Sequence, residues 1–97
     1  MKAIVSLTEK EFVTYSAIYK NLKVKTKGIK IFESLIRKSR YACYSFSGVL
    51  SNELILALDR MPTSTEVIML VDGGFSHFGA SCLVMPDNSF NGTVYTD

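Results

Sequence analysis

The sequence predicts a two-layer α+β domain over residues 1–97, with about three helices on one face of a mostly antiparallel sheet, in the order β-α-α-β-α-β-β-β. Three observations carry this reading. Val67 to Val71 is a run of five apolar residues, followed by the turn signal Asp72-Gly73-Gly74 and a second apolar run from Phe75 to Met85. Together they read as a β-hairpin whose first strand is the buried centre of the sheet. Helical apolar spacing occurs three times upstream of that hairpin. Finally, 97 residues at 47% hydrophobic and 21% charged suffice for one core, and no repeat, low-complexity run or linker divides them.

In chain order, Lys2 to Leu7 alternates loosely and reads as a strand. Thr8 and Glu11 form a capping-box pattern for a helix to about Leu22, with Phe12, Tyr15, Tyr19 and Leu22 on one face and Val13, Ala17 and Ile18 widening it. Lys23 to Gly28 is a solvated connection. Ile29, Phe32, Leu35 and Ile36 then predict a second helix over 29–39, with Lys30, Glu33, Arg37 and Lys38 outward. Tyr41 to Phe46 is short, aromatic and bounded by Ser47-Gly48, which predicts a strand. Leu50, Leu54, Ala57, Leu58 and Met61 predict a core helix, capped by Ser51 or Ser47, favoured by Glu53 in its first turn and ended by Pro62. After the hairpin, Pro86-Asp87-Asn88 turns the chain, and Thr93 to Thr96 forms a last short strand after an Asn91-Gly92 turn.

Charge is distributed unevenly. The whole chain is +2, yet residues 20–40 hold Lys20, Lys23, Lys25, Lys27, Lys30, Arg37, Lys38 and Arg40 against Glu33 alone, a net +7. Residues 41–97 hold Arg60 against Glu53, Asp59, Glu66, Asp72, Asp87 and Asp97, a net −5. No apolar run approaches the roughly 18 residues of a membrane span. The N-terminal dozen residues lack the apolar core of a secretory signal, so the expected setting is cytoplasmic. Cys43 and Cys82 read as buried free thiols, with a disulfide the alternative if their strands are neighbours.

No catalytic or cofactor set survives inspection. Gly74 to Ser81 has the glycine spacing of a phosphate-binding loop, but Ala80 stands where the lysine belongs and Pro86 precludes the helix that would follow. Asp72, His77, Ser81 and Cys82 contain a base and nucleophiles. On a regular strand, however, His77 and Cys82 face opposite ways, and His77 and Ser81 stand roughly 13 Å apart. One histidine and two dispersed cysteines suggest no metal site. A winged-helix reading is weakened because the helix before the hairpin has Arg60 as its one basic residue.

Function is therefore expected to be non-enzymatic, with no cofactor or metal. The reading is a small inhibitor-type binding protein that occupies a macromolecular partner through a basic surface formed by Lys23, Lys25, Lys27, Lys30, Arg37, Lys38 and Arg40. Its size and lack of motifs match the general character of phage and mobile-element accessory proteins. An acidic protein surface is the expected partner. The alternative is direct nucleic-acid binding by the same segment, with Tyr44 and Phe46, two apart on a strand, as stacking residues. A homodimer joining the basic segment of one copy to the acidic half of another is a further alternative.

Overall fold

A computed structural model describes residues 9–40, 42–73 and 79–95, with side chains described from residue 13 onward. Its elements are α1 (Glu9–Lys25), β1 (Phe32–Arg40), β2 (Cys43–Leu50), α2 (Asn52–Leu58), α3 (Ser64–Asp72), β3 (Gly79–Val84) and β4 (Ser89–Tyr95). The four strands form one antiparallel sheet in the order β1-β2-β4-β3. The fold is thus α+β, three helices with a four-stranded antiparallel sheet. The expected strand at 2–7, the Thr8 cap and the start of the expected strand at 75–85 lie outside the described residues.

Two segments differ in type from the sequence expectation. Residues 29–39, expected as a helix, supply β1. The cause is a bulge: Phe32 pairs with Leu50 and Ser34 with Val49, so Glu33 is the extra residue. The bulge turns Phe32 and Leu35, three residues apart, to the same face, and this imitates helical spacing. The expected central strand at 67–71 is instead α3, whose Val67, Ile68, Met69 and Val71 are all buried. A helix enclosed on most sides reads as a continuous apolar run, which periodicity alone does not separate from a buried strand. The decisive local signal is Thr63-Ser64-Thr65-Glu66, a reciprocal capping box: the Glu66 N–H donates to Thr63 Oγ1 at 3.2 Å and the Thr63 N–H to Glu66 Oε1 at 2.9 Å. Gly73, expected in a hairpin turn, is the left-handed C-cap of α3 at φ 78°.

The remaining elements keep their type, but of the expected core-helix stripe α2 buries Leu54 and Leu58 alone, Leu50 belonging to β2 and Ala57 and Met61 being exposed. Helix α1 continues to Lys25, and its core stripe is Tyr15, Ile18, Tyr19 and Leu22, with Val13 61% exposed and outside it. Ser51 caps α2 by accepting from the Leu54 N–H at 3.1 Å, and its own hydroxyl donates to the Lys30 carbonyl. The chain turns at Met85–Ser89 as expected, with Asn88 at φ 71°. Asn91-Gly92, expected as a turn, lies within β4 and pairs with both neighbours.

The core lies between the helices and one face of the sheet. Phe46, Phe90 and Val94 from the sheet meet Leu22, Leu54, Leu58, Val67, Met69 and Val71. Gly48 and Gly92 sit on that face beneath aromatic rings: an added Cβ would fall 2.9 Å from the Phe90 ring and 2.5 Å from the Phe46 ring, respectively. These glycines are what allow Phe32, Phe46 and Phe90 to stack across the sheet at centroid spacings of 5.3 and 6.0 Å.

Candidate binding surface

Strand alternation decides where the basic segment points. On β1, Leu35, Arg37 and Ser39 pair in rows with Gly48, Phe46 and Tyr44, so they share the helix-covered face. Arg37 extends there to the C-terminus of α3, where its guanidinium donates to the Val71 carbonyl and occupies one of the acceptors that a helix end leaves open. Ile36, Lys38 and Arg40 point to the opposite face, uncovered in the sense that no described element lies over it. The expectation of outward charges with Ile29, Phe32 and Ile36 in the core is therefore corrected: Ile36 is 54% exposed, and Arg37 faces away from Lys38.

The remaining cations sit before the sheet. Lys23 and Lys25 occupy the last turn of α1, where a positive charge complements the helix dipole, and the Lys23 ammonium lies 5.4 Å from the Tyr19 ring centroid. Lys27 is exposed in the turn that Thr26 closes through its hydroxyl bond to the Leu22 carbonyl at 2.7 Å. The Lys30 ammonium pairs with Glu33 at 2.9 Å, and its backbone N–H donates to Glu53 at 3.2 Å. The seven residues are thus split by the sheet between its two faces.

The stacking reading fails on the same geometry. Phe46 is 2% exposed and lies on the covered face. Tyr44 shares that face, and its hydroxyl donates to Asp72 at 2.7 Å; burial first, then this bond and the carboxylate charge, push the hydroxyl well above the usual tyrosine range. Phe46 is closed to a base, and Tyr44 is half-buried with its hydroxyl engaged on the helix-covered face.

Cysteine chemistry is similarly restrained. Cys43 and Cys82 are free and half-buried rather than fully buried, on β2 and β3, which β4 separates, and they face opposite sides of the sheet. Burial pushes the Cys82 thiol up to about 11, so it is protonated and weakly nucleophilic at neutral pH. Among the described residues no three His, Cys, Asp or Glu side chains converge as a metal site. His77 lies outside the described residues.

The uncovered face is what remains, and sequence reasoning missed it. Its successive rows are Ser34-Val49-Ser89, Ile36-Ser47-Asn91-Leu83, Lys38-Ser45-Thr93-Ser81 and Arg40-Cys43-Tyr95-Gly79. The middle rows form an open trough of about 550 Å³, floored by Ser45, Ser47, Asn91 and Thr93 and flanked by Ile36 and Lys38 on β1 and by Leu83 on β3. None of these row positions is an aspartate or glutamate, and the Asp87 carboxylate borders the first row, where it accepts from the Ser89 hydroxyl at 2.5 Å. The alternation in Ser89-Phe90-Asn91-Gly92-Thr93-Val94-Tyr95 carries the signal for this face, hidden by reading Asn91-Gly92 as a turn.

Comparison of the chain with family models, curated proteins and solved structures gives no match. Among the described residues, no helix is long and apolar enough to cross a membrane.

Proposed function

We propose that this chain is a non-enzymatic binding protein that occupies a protein partner with an acidic surface, through the uncovered sheet face and its basic margin on β1. The observation that supports this most is the composition of that face. Lys38 and Arg40 share the face with exposed apolar side chains, Ile36, Val49, Leu83 and Tyr95, with small hydroxyl and amide groups between them, and the Asp87 carboxylate borders it at one end where it accepts from Ser89. The centre of the face is polar and its apolar and basic side chains stand at the margins, so what it offers a partner is exposed apolar contact on both flanks and cations along one of them. The lysines of α1 and the following turn lie on the helix side and would act at longer range, raising the association rate with an acidic partner. The burial of Phe46 and the half-buried, hydrogen-bonded position of Tyr44 favour the protein reading over nucleic acid.

The test is retention from a lysate of the source cell on immobilised protein, wild type against Lys38→Glu/Arg40→Glu, with nuclease-treated and untreated samples in parallel. The expected outcome is a nuclease-resistant protein partner retained by wild type and lost at least about tenfold by the double reversal. Equal retention by both would remove these residues from the function. A nuclease-sensitive partner, with a steep salt dependence near −0.9 per phosphate on duplex DNA, would replace the protein reading with nucleic acid.

A further inference from the structure

The geometry points to an acidic amphipathic α-helix as the element that the trough receives. This inference rests on the binding reading above and specifies the partner's shape. The two walls are the edge strands β1 and β3, separated by three interstrand spacings of about 4.8 Å, or roughly 14 Å. A helix with its side chains is about 10–12 Å across, so one fits lengthwise between the walls. The floor strands carry Ser45, Ser47, Asn91 and Thr93, short side chains that let a helix backbone come close. A flat partner surface would leave these low positions unfilled.

Side-chain chemistry sets the helix's character. Ile36 and Leu83 lie at opposite ends of one cross-sheet row, 54% and 59% exposed, and offer apolar contact on both flanks. Lys38 and Arg40 continue the β1 wall, whereas β3 contributes Ser81 and Gly79 at the same levels. A helix that sets apolar side chains against Ile36 and Leu83, short or hydrogen-bonding ones over the serine, asparagine and threonine floor, and glutamates or aspartates along the β1 flank meets each of these features. From the row of Ile36 to that of Arg40 the trough and its basic wall run four residues, roughly 13 Å at about 3.3 Å each, so about nine residues of helix lie in it at about 1.5 Å rise.

Two other occupants fit less well. A single-stranded nucleic acid needs stacking platforms, and Tyr95, at one end, is the one aromatic side chain among the described residues of this face. In a second copy, the described helix that sets an exposed leucine between carboxylates is α2, with Glu53, Leu56 and Asp59. It has seven residues, its Glu53 carboxylate already accepts from the Lys30 N–H, and its other carboxylate, Asp59, belongs to the cap beyond the helix.

The test uses the whole protein and designed probes, read by amide chemical shifts of the isotope-labelled chain. The probes are a helical peptide of about 17 residues whose seated face carries leucines towards both walls with alanine and serine between them and glutamates elsewhere, the same peptide with lysines for glutamates, a scrambled acidic peptide, and an oligothymidylate. The expected result is that the acidic amphipathic peptide perturbs Ser45, Ser47, Asn91 and Thr93 and binds at least about tenfold more tightly than every other probe. Leu83→Asp should weaken it by a similar factor, and Lys38→Glu/Arg40→Glu should invert the preference toward the lysine peptide. No preference, perturbation confined to other residues, or stronger binding by the oligothymidylate would overturn the helix inference. If it fails while retention of the cellular partner still depends on Lys38 and Arg40, the binding reading survives with a partner of another shape. Loss of both ends both.

Discussion

The two faces of the sheet are made by the same four strands and are opposite in almost every respect. On the covered face, Phe46, Phe90 and Val94 are at most 2% exposed, and glycines are placed so that large rings can lie across neighbouring strands. On the uncovered face the same strands carry serine, threonine and asparagine in the middle and isolated apolar or basic side chains at the margins. An antiparallel sheet with one solvated face ordinarily alternates in this manner. The difference teaches where stability resides: the covered face holds the fold, and the other face is the one proposed to receive a partner. Breaking each face separately should therefore give different kinds of loss.

The largest effect is expected from Phe90→Ala. The ring is 1% exposed and contacts Phe32 and Phe46, so its removal leaves a cavity and should cost about 3–5 kcal/mol in urea denaturation. A cost below about 1 kcal/mol would mean that this face is not the core. Next is Gly92→Ala, where the new methyl meets the Phe46 ring at 2.5 Å and the Ser81 carbonyl oxygen at 2.2 Å. Backbone must shift to admit it, at about 1–3 kcal/mol. Thr93→Ala, the next residue but on the other face, should cost far less, and equal losses at 92 and 93 would contradict the assigned register.

The helix that covers the inner face is fastened at its start by Glu66, which accepts two hydrogen bonds from Arg60, at 2.7 and 2.9 Å, besides its bond from Thr63. These partners, Arg60 foremost, hold its carboxyl down to about 2 against the ordinary 4.5. A carboxyl with a depressed folded-state pKa stabilises the fold fully above its unfolded value and loses that contribution as pH falls. Stability should therefore decline between about pH 4.5 and pH 2. Glu66→Gln should lower stability at neutral pH by on the order of 1–3 kcal/mol and flatten the acid limb. Urea titrations at pH 7, 4 and 3 check this; an unchanged acid limb in the variant would remove Glu66 as its source.

How much of this was legible in the sequence follows from which signals were local. The α+β class, the α1 stripe of Tyr15, Tyr19 and Leu22, the Ser51 cap and the Pro86-Asp87-Asn88 turn all depend on neighbouring residues, and all are present in the fold. The exchange of type at 29–39 and 67–71 has non-local causes: a bulge that only strand pairing reveals, and a helix whose burial on several sides erases its periodicity. The capping box at Thr63 and Glu66 was readable and outweighs the apolar run that follows it. The basic segment was visible as composition, but its division between two faces depends on β1 being a strand. The trough was hardest to see, because it is built from unremarkable serines, threonine and asparagine brought together by register.

The smallest effect sharpens the comparison most. Ile36→Ser and Leu83→Ser replace apolar side chains that are 54% and 59% exposed, on edge strands and facing away from every described helix. Little apolar area returns to water when either is shortened, so each should change stability by no more than about 0.5 kcal/mol, as for ordinary surface positions. Serine has a weaker strand preference than isoleucine or leucine, so a small loss within that range is the expected sign. Solubility should not fall, since each change reduces exposed apolar surface. Urea titration at two protein concentrations is the measurement. A loss above about 1 kcal/mol, or one that grows with protein concentration, would mean that the face is covered in the free protein. The contrast between a holding face and a free one would then collapse, together with the assignment of the trough to a partner.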